Sequence, residues 1–225
     1  SPFKAIINEI FSSGAYPKLL YFNTPTGTNQ VELYSSSDLS TFNLIFCRND
    51  YLYNKDSTII LDIGSNIGLS AIYWLTRNNK TIVYCYEPSS ENFERLKKNL
   101  EQFKGRFFLH KKAVSSKSFS TSLNLDKSGV YNTISDNQKV DFFKKEKCEV
   151  LSINHCIENI IKKHGKIDII KIDNEGEELK TVSSINKEFW NIINCLNVDG
   201  DAVKKLVPET FQYSKVGSAQ RFLKK

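Results

Sequence analysis

Residues 58–75, TIILDIGSNIGLSAIYWL, constrain the fold more than any other stretch of the chain. Residues 58–63 are a short β-branched run of the kind a parallel sheet buries on both faces. Gly64-Ser65-Asn66-Ile67-Gly68 follows as a turn. Ile67, Ala71, Ile72 and Leu75 then recur at helical spacing, which gives the helix one apolar face to lay on the sheet. A strand that feeds a helix through glycines is where α/β sheets bind nucleotide-like ligands, at the carboxyl ends of the strands. Backbone N–H groups at the helix start favour a negative ligand group.

The glycine pattern is G-x-x-x-G, not the G-x-G-x-x-G of dinucleotide folds. Asp62 stands on the strand tip before the first glycine. A carboxylate there repels a pyrophosphate and suits a ligand with a positive centre, such as the amino group of S-adenosylmethionine (SAM). The plain alternative is a strand–helix turn with no ligand.

Residues 81–87, TIVYCYE, read as a second strand ending on an acid. Pro88-Ser89-Ser90 starts a helix with Ser89 as N-cap, Phe93, Leu96, Leu100 and Phe103 as its core face, and Gly105 as its stop. Residues 106–114 read as a third strand. Residues 115–149 are Ser-, Asn- and Lys-rich and read as a long excursion or hairpin. A helix over 153–161 ends in Lys162, Lys163, His164 and Gly165, the polarity the helix dipole favours. Residues 167–172 form a fourth buried strand, a short helix covers 179–182, and 192–198 form a fifth strand. Residues 211–222 alternate loosely, as one or two edge strands. The alternation predicts an α/β fold: a mostly parallel sheet, helices on both faces, an antiparallel edge.

Upstream, Ala5, Ile6 and Ile10 have helical spacing, residues 23–28 read as a turn, 30–34 as a strand, and Ser35–Asp38 as a cap over a helix at 39–46. Residues 1–57 are expected to be an N-terminal extension packed on the core of the domain at 58–225. The five cysteines show no C-x-x-C pair, which argues against a disulfide framework and a zinc site and points to a reducing cytoplasm. No apolar run approaches the roughly 18–20 residues of a membrane span. The chain opens Ser1-Pro2 without Met, which is compatible with a removed leader. The net charge is +6, but the lysines are spread and read as solvated faces, so a nucleic-acid partner is not favoured.

Asp62, Glu87 and Asp173 each fall at a strand tip, and in a parallel sheet those tips share one edge. Glu87 stands near the offset at which an acid accepts both ribose hydroxyls, a position that disfavours a 2′-phosphate. The segments LDIGSNIGLSAIYW (61–74), YEPSSENFERLKKNL (86–100) and KIDNEGEELKTV (171–182) resemble the FkbM-type SAM-dependent O-methyltransferases. The K-I-D-x-E-G-x-E run is the most specific of them. Residues 36–46 with Tyr51 are similar to the region before the family's first motif. The resemblance covers roughly residues 30–200. It departs at Asn154, where the family usually has Asp.

The resemblance implies a Rossmann-like methyltransferase fold. It implies that Asp62, Gly64, Asn66 and Gly68, with Ser65, hold the methionine end of SAM. Glu87, with Pro88, would hold the ribose, and Ala113 and Val114 would pack near the adenine. It also implies transfer to a hydroxyl of a sugar, glycan or polyketide-like small molecule. An acceptor hydroxyl needs a base within hydrogen-bond reach. Asp173 is the expected base, Glu175 the second choice, and Lys171 a group that orients either. The alternative for both acids is binding SAM or capping the helix that follows; two acids are thin evidence for a metal. An RNA ribose O-methyltransferase deprotonating through Lys171, and a catalytically silent SAM-fold module, are the competing readings. His110, His155, His164, Trp74 and Trp190 read as packing or surface residues.

Overall fold

The computed structural model describes residues 16–127, 129–135, 141–200 and 203–225. The helix expected around Ala5, Ile6 and Ile10 lies outside them. The strands are β1 (Lys18–Thr24), β2 (Gly27–Leu33), β3 (Ile59–Ile63), β4 (Ile82–Tyr86), β5 (Phe107–His110), β6 (Ala113–Ser115), β7 (Phe119–Asp126), β8 (Phe142–Ser152), β9 (Ile167–Ile172), β10 (Ile193–Val198), β11 (Phe211–Val216) and β12 (Ala219–Lys224). The helices are α1 (Ser36–Phe46), α2 (Leu69–Leu75), α3 (Ser90–Leu100), α4 (Ile153–His164) and α5 (Glu178–Ser183).

The main sheet runs β11-β12-β10-β9-β3-β4-β5. Strands β10, β9, β3, β4 and β5 pair in parallel, and β12 pairs antiparallel with both β10 and β11. The sheet is therefore mostly parallel with an antiparallel edge, as the alternation predicted. β3 and β9 lie at its centre, and every residue of both is buried. Successive side chains alternate between faces. Ile60 joins a core with Phe42, Trp74 and Leu96, from α1, α2 and α3; Leu61 joins the other, with Ile157, Ile170 and Leu196. Phe22 of β1 packs edge-on to Phe42 and Phe46, with ring centroids 5.0 Å apart in each pair. No described helix is long and apolar enough to cross a membrane.

Ser35, Ser89 and Ser152 cap α1, α3 and α4 by accepting from backbone N–H groups. The 115–149 excursion is a hairpin, β7 against β8, which forms a separate sheet with β6. The third strand expected at 106–114 breaks in two. Lys111 and Lys112 cannot continue a buried strand, and the Lys112 N–H turns back onto the His110 carbonyl at 2.9 Å. β6 then leaves the main sheet and pairs with β8. Phe93 is only half-buried, and Asn92 and Asn99 take core positions on α3. They can, because both are bonded: Asn92 donates to the Gly129 carbonyl, and Asn99 donates to those of Ile67 and Glu32. Of the tail strands, β12 is internal and only β11 is the edge. Asn154 bridges α4 to the turn after α5, donating to Ser184 O at 2.8 Å and accepting from Asn186 N at 3.0 Å. That second bond needs only a side-chain oxygen, which the Asp usual in the family also supplies; the first needs the amide.

Candidate active site

Parallel pairing sets Asp62 opposite Cys85 on one side and Lys171 on the other. Asp62, Glu87 and Asp173 thus share one edge of the sheet. The chain leaves β3 at Gly64, with φ at +72°, and a Cβ there would fall 1.7 Å from the Asp173 carbonyl oxygen. Glycine is required where these two strand ends touch. Its N–H and that of Ser65 donate to the Tyr86 carbonyl, at 3.0 and 3.1 Å, which binds the turn to the tip of β4.

A cleft of about 910 Å³ opens over these ends. Gly64, Ser65, Asn66, Glu87, Pro88, Ala113, Val114, Lys171, Asp173 and Glu175 all line it. Asp62 and Gly68 do not. Gly68 packs under Leu96. Asp62 is fully buried below the cleft floor. Its Oδ2 accepts from Ser70 Oγ at 2.7 Å, and its Oδ1 has no hydrogen bond and faces Lys171 Nζ at 3.6 Å. The direct hold on a ligand expected of Asp62 gives way to an internal ion pair, because register places Lys171 beside it on the same face of the sheet.

Glu87 is buried yet lines the cleft. Each of its oxygens accepts one backbone N–H, from Asn66 and from Ser89, both at 2.9 Å. A carboxylate has about four acceptor sites, so each oxygen keeps a further one. Burial raises its pKa to about 7, and the two N–H donors only partly offset that.

Lys171 Nζ donates to the carbonyls of Ile63 and Gly64, at 3.2 and 2.6 Å, and lies 3.2 Å from Asp173 Oδ2. Burial pulls its pKa down, but Asp173 and Asp62 outweigh burial and hold it well above the ordinary value. Lys171 is thus a buried cation joining two strand tips. Burial first, then Asp173 and Glu178, raise Glu175 to about 8. The 173–177 loop is folded by the Glu178 carboxylate, which accepts from the N–H groups of Asn174 and Gly176, both at 2.9 Å. Thr133 Oγ1 ties the excursion to this loop at the Glu175 carbonyl, 2.6 Å away.

Sequence reasoning missed Glu178, Asp199 and the lining role of Tyr51. Glu178 was visible as the last acid of the D-x-E-G-x-E run; Asp199 carried no signal. His110 stacks on Tyr86, His164 bonds the Tyr84 hydroxyl and His155 meets Asn159, and none of the three lines the cleft. Trp74 and Trp190 are core residues.

A mostly parallel sheet with a reversed β12, and acids converging over its central strand ends, defines a Rossmann-like methyltransferase fold. The family model of the methyltransferase FkbM domain matches residues 62–205, and the chain belongs to that family. A hexuronic acid methyltransferase of Haloferax volcanii is 24% identical over 160 residues, covering 69% of this chain and 63% of that protein. A methyltransferase of Beauveria bassiana is 19% identical over 161 residues, covering 64% and 65%. The crystal structure of an FkbM methyltransferase from Methylobacillus flagellatus superposes with a TM-score of 0.57 at 16% identity, over 80% of this chain and 47% of that one. The chain therefore spans under two thirds of the length of these proteins.

Proposed function

We propose that this chain is a SAM-dependent O-methyltransferase acting on a hydroxyl of a sugar, glycan or polyketide-like small molecule. The observation that carries this reading is Glu87, a buried carboxylate with acceptor sites left over, in one cleft with Asp173 and Glu175. Such a carboxylate fits a vicinal diol, as on a ribose. Ala113 and Val114 supply an apolar wall for a flat base. Gly64, Ser65 and Asn66 line the same cleft. SAM, when bound, supplies a methyl group already activated as a sulfonium.

The residues have the acceptor oxygen to position and deprotonate. Orientation alone supplies about 7–11 kcal/mol at best. Asp173 takes the acceptor proton, and the Lys171 ammonium fixes the direction of its carboxylate. Asp62 acts through Lys171 and touches no substrate. Glu175, protonated at neutral pH, donates a hydrogen bond to the acceptor. The Haloferax relative's name supports a sugar acceptor. Deprotonation by Lys171, as in the RNA alternative, loses support because that ammonium is locked between two carboxylates.

Calorimetry with SAM tests the site, and Asp173→Asn tests the chemistry. Binding of SAM by both proteins, with turnover falling about 10²–10³-fold in the variant, is expected. No SAM binding by the unaltered chain would overturn the assignment.

A further inference from the structure

Past Asp173 the cleft runs into a second cavity, of about 1090 Å³. Thr41, Ile45, Tyr51, Val130, Asp173 and Glu175 line both, so the two spaces share a wall at the proposed base. The second cavity is strongly acidic. Asp50, Asp173, Glu175, Glu178 and Asp199 line it, and no described lining residue is Lys, Arg or His. This reverses the sign of a chain whose net charge is +6.

Each of these acids already has contacts within the protein. Asp50 takes the Arg48 guanidinium through both oxygens, at 2.6 and 2.5 Å, Asp173 takes Lys171, and Glu178 takes two backbone N–H groups. Asp199 Oδ1 accepts from Gly200 N at 3.1 Å. The pKa of Asp199 is raised, as is that of Glu175. Both shifts come first from burial, with Asp173 adding to it. No three His, Cys, Asp or Glu side chains among the described residues are grouped to hold a metal ion.

Tyr51 gives an independent sign of a ligand. It is 6% exposed, and it lines both cavities. Its hydroxyl has no hydrogen-bond partner in the protein, although Lys171, Asp173 and Asp199 are all within electrostatic reach. The hydroxyl reaches the shared wall of the two cavities and is left to bond whatever fills them.

Resting on the methyltransferase reading above, we propose that this second cavity is the acceptor subsite. It takes a polyol rich in hydrogen-bond donors, neutral or carrying an amine, and rejects one bearing a carboxylate or phosphate, which separates it from the hexuronic acid in the Haloferax relative's name. Carboxylates accept but cannot donate, so hydroxyl and ammonium groups satisfy them. An acceptor carboxylate would meet the carboxyl groups of Glu178 and Asp199, while the nearby cations Arg48 and Lys171 are already taken by Asp50 and Asp173. Tyr51 positions the acceptor through its hydroxyl.

The full chain saturated with S-adenosylhomocysteine is to be probed by saturation-transfer NMR with the methyl glycosides of glucose, glucosamine, glucuronic acid and glucose 6-phosphate. The expected result is binding of the first two, with the anionic pair weaker by about a hundredfold. Asp199→Asn narrows that gap. Tyr51→Phe weakens the favoured ligands about fivefold, a larger loss than it causes for S-adenosylhomocysteine. Equal or better binding of the anionic glycosides, or binding of none of the four, overturns the proposal. Failure to bind S-adenosylhomocysteine at all is a different result, one that removes the methyltransferase reading itself.

Discussion

The two sides of the cleft are built by different means. The Gly64–Glu87 side comes from two neighbouring parallel strand ends, and its contacts are largely backbone: Gly64 and Ser65 bond Tyr86, and Glu87 is held by Asn66 and Ser89. The Tyr51–Asp199 side is assembled from α1, the Asp50–Tyr51 segment, the excursion near Val130 and the loops after β9 and β10. One side is dictated by sheet geometry, and the other by how remote segments happen to close over it. Lys171 is the joint between them, since its ammonium touches the carbonyls of the first and Asp173 of the second.

Lys171→Met should break this division most severely. It leaves Asp62 buried and unpaired, at a cost of about 3–5 kcal/mol by denaturant unfolding. If stability is unchanged, Lys171 does not join the two sides. Glu87→Ala sharpens the contrast from the first side. S-Adenosylhomocysteine affinity should fall about 100-fold by calorimetry, with little change in acceptor binding.

Glu175→Gln gives the smallest effect and reports on the second side. Glu175 has a folded pKa near 8 against an ordinary 4.5, so the folded state keeps a proton that the unfolded chain releases. Its contribution is present below pH 4.5 and is lost as pH rises towards 8. Glu87 behaves likewise, up to about 7. In Glu175→Gln, the denaturation midpoint should therefore fall less between pH 5 and 8.5 than in the parent. An unchanged slope would mean that Glu175 is not held neutral.

The same division explains what could be read in advance. Asp62, Glu87 and Asp173 could be placed on one edge because strand periodicity and parallel pairing are local, regular rules. Asp62's true partner was harder, since Lys171 lies far along the chain and only register makes them neighbours. The break of the third strand was written in Lys111-Lys112, although an apolar run on both sides concealed it. Asn92 and Asn99 were invisible as core residues because their burial depends on carbonyls supplied by distant turns. Tyr51 and Asp199 carry no spacing rule at all; only the closed chain brings them to one cavity.

Asn99 illustrates a consequence for substitution. One amide on α3 reaches both the carbonyl of Ile67, in the glycine turn before α2, and the β2 backbone at Glu32, accepting there as well as donating. The hairpin ahead of the central sheet is thereby fastened to the motif itself through main-chain atoms, which any sequence supplies. Outward-facing side chains such as Leu19 and Tyr21 take no part in this attachment and can be replaced without loosening it, whereas Leu20, Phe22, Val31 and Leu33 are held in the core.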